Sequence, residues 1–152
     1  MVSVRTACSS DIEGVSRMIA EFNTRSLAKF GLGFSVQDAT ELATKLIATH
    51  VALLLVEVNG ESEKIVGGIG GTIVPSMMNS ASIVFTEIFF YVDQEYRKYS
   101  AFLLETLENK CIETKVDKII MANMNDENFD KLARFYSMKG YQLLEQHYIK
   151  GV

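Results

Sequence analysis

The chain predicts a mixed α/β (α+β) fold: a mostly antiparallel central sheet with one parallel βαβ unit, and helices on both faces. Three observations carry this reading. Apolar β-rich runs and amphipathic helical patterns interleave along the 152 residues. The runs between Val51 and Val92 are joined by connections too short for a crossover, so they pair antiparallel. The run ending at Val92 leads through a helical stretch to another apolar run at 118–123, which makes those two strands parallel with a right-handed crossover.

Taken in order, Val2–Thr6 is a short β-like start. Ser10-Asp11-Ile12-Glu13 reads as a capping box, with the Ser10 side chain on the amide three residues on and Glu13 reaching back. Ile12, Val15, Ile19 and Phe22 recur at helical spacing, which gives a helix over 11–22. Residues 23–34, with Gly31 and Gly33, break that pattern. Ser35 and Asp38 start a second helix, whose apolar face of Val36, Ala39, Leu42, Ala43, Leu46 and Ile47 runs to about Thr49. Val51–Val58 is apolar at nearly every position, Asn59-Gly60 is a hairpin signal, and 64–74 is the returning strand, closed by Pro75. A polar loop over 76–82 leads to a strand at 83–92.

After a polar turn at 93–98, Leu103, Leu104, Leu107 and Cys111 mark a helix from Ser100 to about Lys115. Lys118–Asn123 is a short strand. Asn125 or Asp126 caps a helix bearing Phe129, Leu132, Ala133 and Tyr136, and Gly140 ends it. Tyr141–Ile149 reads as a last strand with the character of an exposed edge, which leaves a homodimer open. Gly67-Gly68-Ile69-Gly70-Gly71 has no helix after it, so it is a bulge or a close strand approach rather than a nucleotide loop.

Composition narrows the class. A chain of this length with 48% hydrophobic and 22% charged residues is one ordinary globular domain. No apolar run is long enough to span a membrane, and the N-terminus lacks the apolar core of a signal peptide, so a cytoplasmic protein is expected. Cys8 and Cys111 lie far apart and read as reduced thiols. His50 and His147 are isolated, so no metal site is expected. The net charge of −4 is scattered, which argues against a nucleic-acid partner and suits a cationic substrate weakly.

Residues 84–104, VFTEIFFYVDQEYRKYSAFLL, say most about chemistry. An apolar strand passes through a turn carrying Arg97 and Lys98 straight into a helix. The first amides of a helix lack backbone partners and sit at the positive end of its dipole, so such a turn favours a phosphorylated ligand.

This segment resembles the GNAT family of acyl-CoA-dependent N-acetyltransferases, whose signature is a strand, a turn and Q/R-x-x-G-x-G/A opening a helix. Tyr91-Val92-Asp93-Gln94-Glu95-Tyr96-Arg97 matches the approach and Leu103-Leu104 the helix. Phe135-Tyr136-Ser137-Met138-Lys139-Gly140-Tyr141 fits the family's Tyr-x-x-x-Gly-Phe element, with Tyr for Phe. Ser100 and Phe102 stand where the family has small residues, an Arg-x-x-Ser form similar to that of phage-like members.

The resemblance implies acetyl-CoA as cofactor. It would be held by Arg97, Lys98, Tyr99, Ser100, Ala101 and Phe102 at the pyrophosphate, with Ser100 as a helix cap. The pantetheine would lie along the edge of strand 84–92, with a backbone amide near Tyr91 or Val92 polarising the thioester carbonyl. Asn123 and Asn128, flanking the loop after strand 118–123, would touch the cofactor. It also implies that the strands at 84–92 and 118–123 splay apart.

A small-molecule or peptide amine would be the acceptor, attacking directly in a ternary complex. An amine with a lysine-like pKa is neutral in roughly one molecule in a few thousand at pH 7, so it needs a base. Glu87 is the candidate, because it interrupts an apolar strand; strand parity places it on one face with Phe89 and Tyr91. Tyr136 matches the family position for the acid that serves the departing thiolate. The plainer readings are an edge carboxylate at Glu87 and a packed core tyrosine at Tyr136. The competing function is a non-catalytic coenzyme A-binding or protein-interaction module on the same fold.

Overall fold

In a computed structural model describing all residues from Met1 to Val152, the apolar run at 51–58 is covered on both faces, which is why it does not alternate. The elements are β1 (Val2–Thr6), α1 (Ile12–Phe22), α2 (Val36–Thr49), β2 (Val51–Asn59), β3 (Ser62–Ser76), β4 (Asn79–Val92), α3 (Ser100–Glu113), β5 (Lys118–Ile120) and α4 (Phe129–Met138). The sheet order follows the chain, β1-β2-β3-β4-β5. The first four strands are antiparallel, while β5 lies parallel to β4 with α3 crossing between them. This is the mixed sheet that the element pattern predicts.

Alternate residues of β2 feed two cores. Ala52, Leu54 and Val56 pack with Val15, Met18 and Ile19 of α1 and with Ala39, Ala43 and Leu46 of α2. Leu53 and Leu55 point the other way, into a core with Leu103, Leu104, Leu107 and Cys111 of α3 and Tyr136 of α4. The glycine run lies inside β3, as close strand packing requires. A Cβ on Gly70 would sit 2.5 Å from the Phe89 ring, and one on Gly71 would sit 2.2 Å from the Thr86 carbonyl oxygen.

Several local expectations change. The capping box lies two residues earlier: the Asp11 carboxylate accepts the Cys8 N–H at 2.8 Å, and Ser9–Asp11 forms a 3-10 turn ahead of α1. Arg5 decides this, because its guanidinium donates to both Asp11 oxygens, at 2.7 and 2.9 Å. The chain does not break after Phe22. It continues through a π-turn at Asn23–Leu27 and a 3-10 turn at Ala28–Phe30, and stops at Gly31 with φ +70°. Pro75 lies within β3 near its end, and the loop expected at 76–82 is a hairpin tip, Met77-Met78, closed by pairing of Ser76 with Asn79.

Helix α3 stops at Glu113, ahead of Lys115 with its positive φ of 57°. The strand expected over 118–123 keeps only Lys118–Ile120. Asn128, not Asn125 or Asp126, precedes α4 as its cap. Gly140 (φ +86°) ends α4 as expected, with its N–H on the Ser137 carbonyl and the Tyr141 N–H on Tyr136. The strand expected over 141–149 does not form, and Leu143, Leu144 and Ile149 are exposed. A three-residue β5 gives the segment no edge of matching length. No helix is long and apolar enough to cross a membrane.

Candidate functional site

The site forms where β4 and β5 part. Their ladder holds three pairs, Val84 with Lys118, Phe85 with Ile119 and Thr86 with Ile120. From Glu87 to Val92 the edge of β4 facing β5 carries no ladder. At the same point β4 slips against β3: Gly71 faces Glu87 and Gly70 faces Phe89, so Ile88 is an extra residue.

This bulge reverses strand parity. Phe85 packs on the α3/α4 side, Ile88, Phe89 and Tyr91 on the α1/α2 side, and Phe90 and Val92 on the α3/α4 side again. The expectation that Glu87 shares a face with Phe89 and Tyr91 is therefore overturned. Glu87 sides with Phe85, toward α4.

Glu87 is 8% exposed and its Oε2 accepts the Ala122 N–H at 2.9 Å. Burial outweighs that bond and pushes the carboxyl up to about 7. Tyr136, on α4, is buried, and its hydroxyl has no hydrogen-bond partner. Burial, and after it the nearby Glu87 charge, raises the Tyr136 phenol far above its ordinary value. Tyr141 backs it with ring centroids 5.4 Å apart and donates to Glu108 Oε1 at 3.0 Å. The structure thus brings Glu87 and Tyr136 together on one side of the sheet.

The turn after β4 is tighter than a free loop. Gln94–Tyr99 is a 3-10 helix running directly into α3, and Ser100 is its continuation rather than a cap: Tyr99 holds the cap position, and the Ser100 N–H donates to the Arg97 carbonyl. Ala101 is half-buried, and Phe102 is 46% exposed. The Lys98 ammonium lies 5.1 Å from the centroid of the Tyr99 ring. Tyr91 and Val92 are buried, and the Tyr91 hydroxyl donates to Asp93 at 2.8 Å. Asn123 donates through Nδ2 to the Phe129 carbonyl at 3.0 Å, while its Oδ1 is buried without a partner.

A cleft of about 460 Å³, lined only by polar and charged residues, gathers three parts of the chain: Arg25 and Lys29, then Gln94 and Arg97, then the loop Asp126–Asn128. Of the residues expected at the cofactor, Arg97 and Asn128 meet here; Glu87 and Tyr136 do not line it. Arg25 and Lys29 carry no sequence signal, since they sit in a segment without a motif.

No protein-family profile matches the sequence, and no curated protein matches it. Solved structures do. An aminoglycoside acetyltransferase from an uncultured soil metagenomic sample superposes with a TM-score of 0.72 at 14% identity, covering 100% of this chain and 99% of that one. A ribosomal-protein-alanine N-acetyltransferase from Brucella melitensis gives 0.71 at 15%, covering 100% and 99%. A transcriptional regulator from Bacillus halodurans gives 0.72 at 16%, covering all of both chains. At such identities the likeness shows the fold, which is the GNAT-like fold that the motifs imply.

The residues present fit an acyl-CoA at two places. At the strand parting, β4 leaves an unladdered edge beside the unpartnered hydroxyl of Tyr136. At the turn, Arg97 faces a polar cleft, although the Ser100 amide is already engaged.

Proposed function

We propose that this chain, built on the GNAT fold, is an N-acetyltransferase that moves acetyl from acetyl-CoA to a primary amine. One observation carries the reading: Glu87 sits buried at the parting of β4 and β5, on the side of Tyr136, with its carboxyl held near 7. A base poised at the working pH is what an amine acceptor needs, because it is ionised half the time and still takes a proton readily.

Acetyl-CoA, when bound, supplies the activated acetyl group. Glu87 takes the ammonium proton, directly or through water, and its bond from Ala122 fixes one carboxylate oxygen. Tyr136 keeps its proton throughout the physiological range. A phenol raised that far above the ordinary thiol value of about 8.5 serves a departing thiolate by donating a hydrogen bond to it. Arg97 supplies charge at the phosphate end, and the unladdered β4 edge offers backbone groups to the pantetheine arm. Amine-directed neighbours, one named for aminoglycosides and one for a protein alanine, support the acceptor class.

The second reading, a coenzyme A-binding module without turnover, is favoured by one feature. Phe102 and the engaged Ser100 amide replace the open glycine cradle of the family.

Titration calorimetry with acetyl-CoA, followed by an acetylation screen over aminoglycosides and alanine-ended peptides, tests both. Binding that weakens in Arg97→Ala, together with turnover lost in Glu87→Gln, is expected. Binding without turnover of any amine would select the module, and no binding would remove both readings.

A further inference from the structure

Two contacts fasten the segment after α1 to the loop before α4. The buried Ser26 hydroxyl donates to Asp126 Oδ2 at 2.9 Å, and the Lys29 ammonium donates to the Asn125 carbonyl. They set Arg25 and Lys29 in the same cleft as Arg97, which comes from the turn after β4. Arg25 is steadied by the face of Tyr91, 4.7 Å from its guanidinium carbon.

None of the three cations forms an ion pair, although two carboxylates line the same cleft. Asp126 is already engaged, taking the Ser26 hydroxyl from the facing segment on Oδ2 and the Asn128 N–H of its own loop on Oδ1 at 2.8 Å. That leaves Glu127 as the one carboxylate without a hydrogen bond against three unpaired cations. Cations gathered around a concavity without a carboxylate partner of their own favour an anion from outside. Charge coming from separate chain segments suits one with several oxygens, such as a diphosphate. No hydrophobic residue lines the cleft, which favours a charged, oxygen-rich ligand over an alkyl one at this spot.

We propose that Arg25 and Lys29, acting with Arg97, form a diphosphate-binding site, replacing with side-chain charge the amide cradle that Ser100 and Phe102 do not provide. Under the acyl-CoA reading, on which this assignment of the ligand rests, the diphosphate is the pyrophosphate of coenzyme A.

The test separates the site from that reading. Sodium pyrophosphate is titrated calorimetrically at low salt into the wild type, Arg25→Gln/Lys29→Gln and a Lys45→Gln/Lys150→Gln control. Lys45 and Lys150 are exposed and lie outside the cleft. Circular dichroism checks the fold of each variant. Wild-type binding that weakens about tenfold or more in the first variant and stays unchanged in the control is expected. Coenzyme A should weaken in parallel, while pantetheine, which lacks phosphate, should bind both proteins alike. No pyrophosphate binding by the wild type, or equal binding by the cleft variant, would overturn the proposal. Pyrophosphate binding lost in the variant, with no coenzyme A binding by the wild type, would keep the anion site and discard the acyl-CoA reading.

Discussion

Gly71 faces Glu87 across β3 and β4 at the position where the register between the strands slips. The glycine makes room for this geometry, since a Cβ there would meet the Thr86 carbonyl oxygen at 2.2 Å and the Phe85 ring at 2.6 Å. Gly71→Ala should therefore cost about 1–3 kcal/mol by overpacking. Thermal unfolding should show it as a fall in Tm of several degrees. Acetylation should fall further than stability does, because the bulge that turns Glu87 toward α4 must shift. An unchanged Tm would show that β4 bulges for another reason.

Glu87→Gln keeps the shape and the bond from Ala122 but removes the titration. The folded-state pKa of Glu87 is raised from 4.5 to about 7, so its contribution to stability is full below about 4.5 and is lost as pH rises toward 7. The difference between wild type and variant should change by roughly 3 kcal/mol across that window, with the variant the more stable above pH 7. Denaturant melts at pH 4.5 and pH 8 measure it. Turnover should move oppositely, rising through pH 7 in the wild type and vanishing in the variant. A pH-independent stability difference would place the Glu87 carboxylate in contact with water.

Tyr136→Phe removes a buried hydroxyl that has no partner, so stability should hold or improve by up to about 1 kcal/mol. If the phenol serves the departing thiolate, turnover should drop on the order of a hundredfold with little change in acetyl-CoA affinity. A loss of stability with intact turnover would make it a packing residue.

Arg5 bridges Asp11 and Glu63 and so ties β1 to β3 and to the turn before α1. The guanidinium bond holds the Asp11 carboxyl well below the usual carboxylate range. Its stabilisation is present above the ordinary carboxylate pKa and is lost only as pH falls well below that value. Asp11→Ala also leaves the Cys8 N–H without its partner and should cost about 2 kcal/mol at pH 7, read from urea melts. An unchanged midpoint would mean that water replaces the carboxylate.

The parts legible in the sequence rest on local physics. Val51–Val58 shows by its lack of alternation that both faces of its strand are covered, Ser35 caps α2 through its bond from the Asp38 N–H, and Gly140 supplies the positive φ that ends α4. Each depends on a few neighbouring residues, so the order of elements from β1 to α4 and the βαβ unit follow from the chain alone. The tertiary structure decided which way Glu87 points, because the Ile88 bulge arises from pairing with the glycines of β3, remote in sequence. It also decided that Arg25 and Lys29 share a cleft with Arg97, and that Tyr141–Ile149 forms no strand. Periodicity records which side chains are apolar. Register, bulges and the meeting of distant charges depend on what the partner segment offers.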